Sequence, residues 1–128
     1  MRGAIERAVR SRIKPGDQLH TAAAASPFTV GRIDDSGVVL LLGKGRWPVR
    51  LTWRCLEGVC PFLRDRDWVR IGAAFDSPAN RETLDGYLKH HTKVATAGWV
   101  AGLIERAGVV EIDRHRPARV RLCPEFDK

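Results

Sequence analysis

The sequence predicts an α+β fold: an N-terminal basic helix and a small antiparallel β meander, followed by a C-terminal half that mixes short helices with a terminal hairpin. Three observations predict it. The apolar period is helical at the N-terminus, alternates through the middle and becomes helical again after Thr52. The cluster Asp34-Asp35-Ser36-Gly37 separates two β-favourable runs, as a hairpin turn would. Gly108 stands between a helical apolar stripe and the aliphatic run Val109-Val110, the position of a left-handed helix cap.

Taken in order, Arg2 to Ile13 put Ile5, Ala8, Val9 and Ile13 on one helical face, with Arg2, Arg7, Arg10 and Arg12 largely elsewhere. This basic amphipathic helix is expected within residues 1–18, and Lys14-Pro15-Gly16-Asp17 stops it by turn chemistry. Residues 19–51 are expected to form a β-rich module. It begins with a low-complexity connector, Ala22 to Ala25, that ends at Ser26-Pro27. Phe28 and Val30 then alternate with polar neighbours, Val38 to Leu42 forms a buried strand, Gly43 to Pro48 turns, and Val49 to Leu51 returns.

The second half, residues 52–123, opens with Thr52 as a helix N-cap followed by Leu56, Val59, Cys60 and Leu63 at helical spacing. Pro61 conflicts with one continuous helix, which must either restart there or kink. Trp68 to Ile71 reads as a short strand. A helix beginning at Ser77-Pro78 or Asn80 carries Leu84, Tyr87, Leu88 and His91, and another beginning near Thr96 carries Val100, Leu103, Ile104 and Ala107. Strands Val109 to Asp113 and Arg119 to Leu122 flank the basic tip Arg114-His115-Arg116-Pro117-Ala118. Residues 124–128 are a tail.

Written as elements, residues 53–122 run helix, strand, helix, helix, strand, strand. This order resembles the winged helix-turn-helix superfamily, and the stretch from Thr83-Leu84-Asp85 through Gly98-Trp99-Val100 to Ala107-Gly108-Val109-Val110-Glu111 is similar to its common form. The resemblance implies a third helix laid in the DNA major groove and a wing hairpin against phosphate or the minor groove. It places Thr92, Lys93 and Thr96 at the helix start, Trp99, Gly102 and Arg106 toward a groove, and Arg114, His115, Arg116 and Arg119 in the wing. That helix has one arginine and neither Asn nor Gln, so bidentate base readers are scarce. Plainer readings stand beside these: a solvated hairpin face for Arg114, Arg116, Arg119 and Arg121, and packing positions for Trp99, Trp53 and Trp68. Trp47, beside Gly43-Lys44-Gly45-Arg46, could stack on a base or, more commonly, pack over its own hairpin.

The 128 residues leave room for one compact fold or two small abutting modules. With 44% hydrophobic and 29% charged residues, a folded core is expected. The balance of 22 Lys and Arg over 15 Asp and Glu gives +7, which favours polyanion partners. Residues 1–33 hold six basic and two acidic groups, 34–76 seven and six, and 77–128 nine and seven, so the excess is densest in the N-terminal helix. Arg2, Arg7, Arg10 and Arg12 are therefore a secondary basic patch.

The longest aliphatic run, Val38 to Leu42, is far short of the ~20 residues a membrane helix needs, so no membrane association is expected. Three cysteines and no apolar leader after Arg12 suit a cytoplasmic protein, nucleoid-associated if bacterial. Cys55 and Cys60 sit five apart on a helix and turn away from each other, a poor spacing for zinc, so they read as small buried hydrophobes and no metal or cofactor is expected. No nucleophile elbow, phosphate loop or metalloprotease motif occurs, and the expectation is not an enzyme. The expected function is double-stranded DNA binding in transcription regulation, anchored on phosphates. The alternative is a protein-interaction adaptor in a regulatory, restriction or toxin-antitoxin assembly, with a homodimer or another protein as partner.

Overall fold

The computed structural model describes residues 3–21, 27–43, 45–64, 66–71, 83–88, 97–115 and 118–126. Helix α1 spans Ala4–Arg12 and buries Ile5 and Val9 at 0% exposure, with Ile13 just beyond its end. Its start is capped from far away in sequence. Both oxygens of the Glu57 carboxylate accept backbone N–H groups of α1, Oε1 from Ile5 at 3.1 Å and Oε2 from Glu6 at 2.7 Å. A negative group at the positive end of a helix dipole is favourable, and here it also ties α1 to the following half of the chain.

Four antiparallel strands follow in the order β1-β2-β3-β4: β1 (Gln18–His20), β2 (Pro27–Asp34), β3 (Gly37–Leu42) and β4 (Trp47–Thr52). Strand β1 was not expected; it is three residues long with Leu19 its only apolar residue, too short for a periodic signal. The predicted hairpin turn is present. Asp34 Oδ1 accepts from the N–H of Ser36 at 2.8 Å and of Gly37 at 3.1 Å, and Gly37 sits at φ +153°. A Cβ on Gly37 would fall 2.0 Å from the Leu51 carbonyl oxygen, so glycine is required. Strand β4 runs longer than expected and includes Pro48, tolerated because β4 is an edge strand.

Thr52 caps the next helix as expected, its hydroxyl accepting from Cys55 N–H at 3.2 Å. The single three-turn helix is instead two: α2 (Trp53–Glu57) and α3 (Val59–Leu63), divided at Gly58. This resolves the Pro61 conflict. Pro61 lies in the first turn of α3, where its missing N–H costs nothing. The break also admits Tyr87, whose hydroxyl donates to the Cys55 carbonyl at 2.8 Å while its ring stacks on Phe62 at 5.0 Å.

Strand β5 (Val69–Arg70) precedes α4 (Leu84–Leu88), α5 (Ala97–Arg106), β6 (Val110–Asp113) and β7 (Arg119–Leu122). The three strands form one antiparallel sheet in the order β5-β7-β6. Helix α4 starts later than Ser77-Pro78 or Asn80 would place it: Thr83 is its cap, accepting from Gly86 N–H at 3.0 Å. The predicted Gly108 cap forms a double closure. Gly108, at φ +83°, donates to the Glu105 carbonyl at 3.0 Å, and Val109 donates to Ile104 at 2.9 Å. One apolar cluster joins α1, the inner face of the meander and the C-terminal half. The connector 22–26, residues 72–82 and the stretch 89–96 with His90 and His91 lie outside the described residues.

Candidate nucleic-acid interface

Helix α5, the expected groove reader, is built for burial on nearly every side. Ala97 to Ile104 contains no polar side chain, and Ala97, Val100, Ala101, Leu103 and Ile104 are all buried. A helix apolar all round belongs in a core. Gly102, expected to face a groove, instead packs on β1: a Cβ there would fall 2.3 Å from the His20 carbonyl oxygen. Trp99 is half-buried against the core, and Arg106 is exposed at the end of the helix. Only the narrow Trp99–Arg106 side and the half-buried Gly98–Glu105 side remain, which is little surface for entering a groove. Thr92, Lys93 and Thr96 lie outside the described residues.

The β6–β7 hairpin, expected to be a wing, carries Arg114, His115, Arg119 and Arg121, and carboxylates meet them. Arg114 makes a bidentate pair with Glu105 on α5, at 2.6 and 2.8 Å, which raises the guanidinium pKa further. Arg119 bonds Asp113 at 3.0 Å, and Arg121 bonds Glu111 at 2.8 Å with Asp67 at 3.7 Å and the Trp68 ring at 4.4 Å. Trp68 is thus a half-buried platform under an arginine rather than full core. His115 is exposed; its N–H and ring Nδ1 both reach Asp113 Oδ1, at 3.0 and 2.8 Å. Those bonds, with help from Arg119, outweigh burial and hold the Asp113 carboxyl down to about 2. Arg116 lies outside the described residues.

These pairings were available in the sequence. Once Arg114 to Ala118 is the hairpin tip, antiparallel register sets Asp113 against Arg119 and Glu111 against Arg121, and the structure has that register. Arg119 and Arg121 are therefore isolated cations along the chain but face carboxylates across the hairpin.

On α1, Arg10 is taken up internally: it pairs with Glu6 at 2.9 Å, donates to the Asp34 carbonyl at 3.1 Å and lies 5.6 Å from the Trp53 ring centre. Arg7 and Arg12 are exposed, and among the described residues neither meets a carboxylate at ion-pair distance. Together with Ser11 and Phe126 they line an open groove of about 420 Å³ between α1 and the C-terminal end of α5. Arg12 Nη1 approaches Gly108 so closely that a Cβ there would sit 2.7 Å away, placing a cation at the negative end of the α5 dipole. Arg2 lies outside the described residues.

The thiols of Cys55 and Cys60 are buried and free, and burial pushes Cys60 up to about 11. Among the described residues, no three His, Cys, Asp or Glu side chains converge as metal ligands, and no helix is long and apolar enough to cross a membrane. Comparison with protein-family models, curated proteins and solved structures gives no match to this chain.

Proposed function

We propose that the protein binds double-stranded DNA through its backbone phosphates, with a winged helix-turn-helix in its C-terminal half, and serves transcription regulation in that way. The observation that carries the reading is topological. The helical segment, β5, α4, α5 and the β6–β7 hairpin follow the winged order, and the sheet order β5-β7-β6 leaves β6 at an edge, which supports reading the hairpin as a wing. The +7 net charge supports a polyanion ligand. The burial of α5 argues for phosphate contacts in place of base reading, so binding is sequence-tolerant. Arg7, Arg12 and Arg106 are open for such contacts. Arg114 can join by exchanging its exposed ion pair with Glu105, worth only ~0–1 kcal/mol, whereas Arg119 is held in a part-buried pair with Asp113.

The second reading, a protein-interaction adaptor, is favoured by one observation: the wing is internally charge-matched through Glu105, Glu111 and Asp113. Reversing Arg114 and Arg116 to Glu separates the two. Under the DNA reading, affinity for random duplex falls at least about tenfold, as loss of two phosphate contacts predicts. An unchanged duplex affinity, with assembly onto a protein partner intact, selects the adaptor.

A further inference from the structure

The charge that is compensated at the wing is left open on the β meander. From Ser36 to Leu56 the sequence has four cations, Lys44, Arg46, Arg50 and Arg54, and no carboxylate. Arg46, Arg50 and Arg54 are exposed, and among the described residues none is within ion-pair distance of an acid. Arg50 acts on Asp34 only through its longer-range field.

Among these cations stands Trp47, the exposed large hydrophobic side chain among the described residues, at 73%. It begins edge strand β4 opposite Leu42, so it projects at the tip of the β3–β4 hairpin. The pyrrole side of its indole lies along Gly45, where a Cβ would come within 3.0 Å of Nε1, and most of the ring is open to solvent. Arg46 precedes it at φ +52°, a left-handed conformation that disfavours any residue with a Cβ. A charged side chain kept where glycine or asparagine is easier is the kind of backbone outlier found at functional positions.

We propose that this hairpin tip binds single-stranded nucleic acid, with the Trp47 indole stacked on an unpaired base and Arg46 on the adjoining phosphate. Arg50, on the other face of the edge strand, meets a phosphate of the bound nucleic acid as it passes around that edge. An aromatic face among unpaired cations is the recurrent chemistry of single-strand binding, because every base offers a π-face once it is unstacked. A duplex keeps those faces covered. The indole shares its face of the sheet with Leu42 and Val49, but Leu42 is buried and Val49 partly so. The exposed cations are Arg46 beside it and Arg50 on the opposite face of β4, with no acid between them, which favours a polyanion over an apolar protein surface. The site is separate from the wing and from α1, and it stands whether or not those elements bind duplex.

The test is fluorescence anisotropy with labelled 12-mers of oligo(dT) and oligo(U), and with a dumbbell duplex closed at both ends by hexaethylene-glycol linkers, which has neither free ends nor unpaired bases. The comparison of the two single strands shows whether DNA or RNA is the better source of the base. Trp47→Ala is expected to weaken the better single strand at least about fivefold, the scale of one lost stacking contact, and to leave dumbbell affinity within about twofold. Trp47→Phe retains most of the affinity, and Arg50→Glu loses it with the indole in place. Arg46→Gly weakens single-strand binding without lowering the urea midpoint. Because Trp47 is exposed, circular dichroism and the urea midpoint of Trp47→Ala should match the parent. The proposal is overturned if the parent binds neither oligomer, if Trp47→Ala binds single strands like the parent, or if it loses single strand and dumbbell equally. Capture of a protein partner that depends on Trp47, without oligonucleotide binding, also overturns it.

Discussion

Replacing Gly102 by alanine distinguishes a packed α5 from a helix that offers its face to a groove, because the two arrangements predict opposite signs. In an exposed helix interior, Gly→Ala stabilises by roughly 1 kcal/mol through backbone entropy. Here the new Cβ would sit 2.3 Å from the His20 carbonyl oxygen, and β1 has to move by close to 1 Å to make room. Overpacking of this kind costs typically ~1–3 kcal/mol, and displacing β1 also disturbs its ladder to β2. The net expectation is a loss of about 1–2 kcal/mol. With a urea m-value of about 2 kcal/mol/M for a chain of this size, the midpoint falls by about 0.5–1 M. Gly98, one turn earlier on the same helix, is the internal control. Its nearest neighbour to a new Cβ is Thr21 Cβ at 3.7 Å, an ordinary contact, so Gly98→Ala should gain roughly 0.5–1 kcal/mol. A stabilising Gly102→Ala would refute the packing of β1 on α5 and restore that face as a groove reader.

Two further outcomes follow from the same structure. Glu57→Ala removes two charge-assisted bonds to the start of α1 and should cost about 2–3 kcal/mol in urea unfolding, with Glu57→Gln intermediate; a loss below about 0.5 kcal/mol contradicts the cap. The Asp113 carboxyl is depressed in the fold, so its contribution is complete above the unfolded value of about 3.9 and disappears as pH falls through about 2. Its side-chain carbon resonance should therefore titrate near 2 in the folded protein, and a midpoint near 4 would break the link to His115 and Arg119.

What could be read in advance was local. The face of α1, the Asp34–Gly37 turn, the Thr52 cap and the Gly108 closure all depend on residues within one or two turns of each other. What could not be read was long-range: the Glu57 carboxylate reaching α1 across 51 and 52 positions, and strand β1, which acquires its identity only by pairing with β2. The burial of α5 falls between these cases. The run from Ala97 to Ile104 is apolar on every side, which already indicates a helix enclosed by the fold. The winged pattern assigns Gly102 and Trp99 to an outer face that β1 and the core largely occupy. The candidate interface was readable as a set of cations and not as a field. Arginines at 114, 119 and 121 stand out in the chain, but Glu105, Asp113 and Glu111 offset them through the turn of a helix and the register of a hairpin.

Phosphate anchoring on duplex DNA is the central claim, and the salt dependence of binding to two unrelated duplexes tests it most directly. With four to six backbone contacts, log K against log salt should fall with a slope of about −4 to −5, and the two sequences should bind with affinities within a few-fold. A slope near zero, or no duplex binding at low salt, would contradict the account.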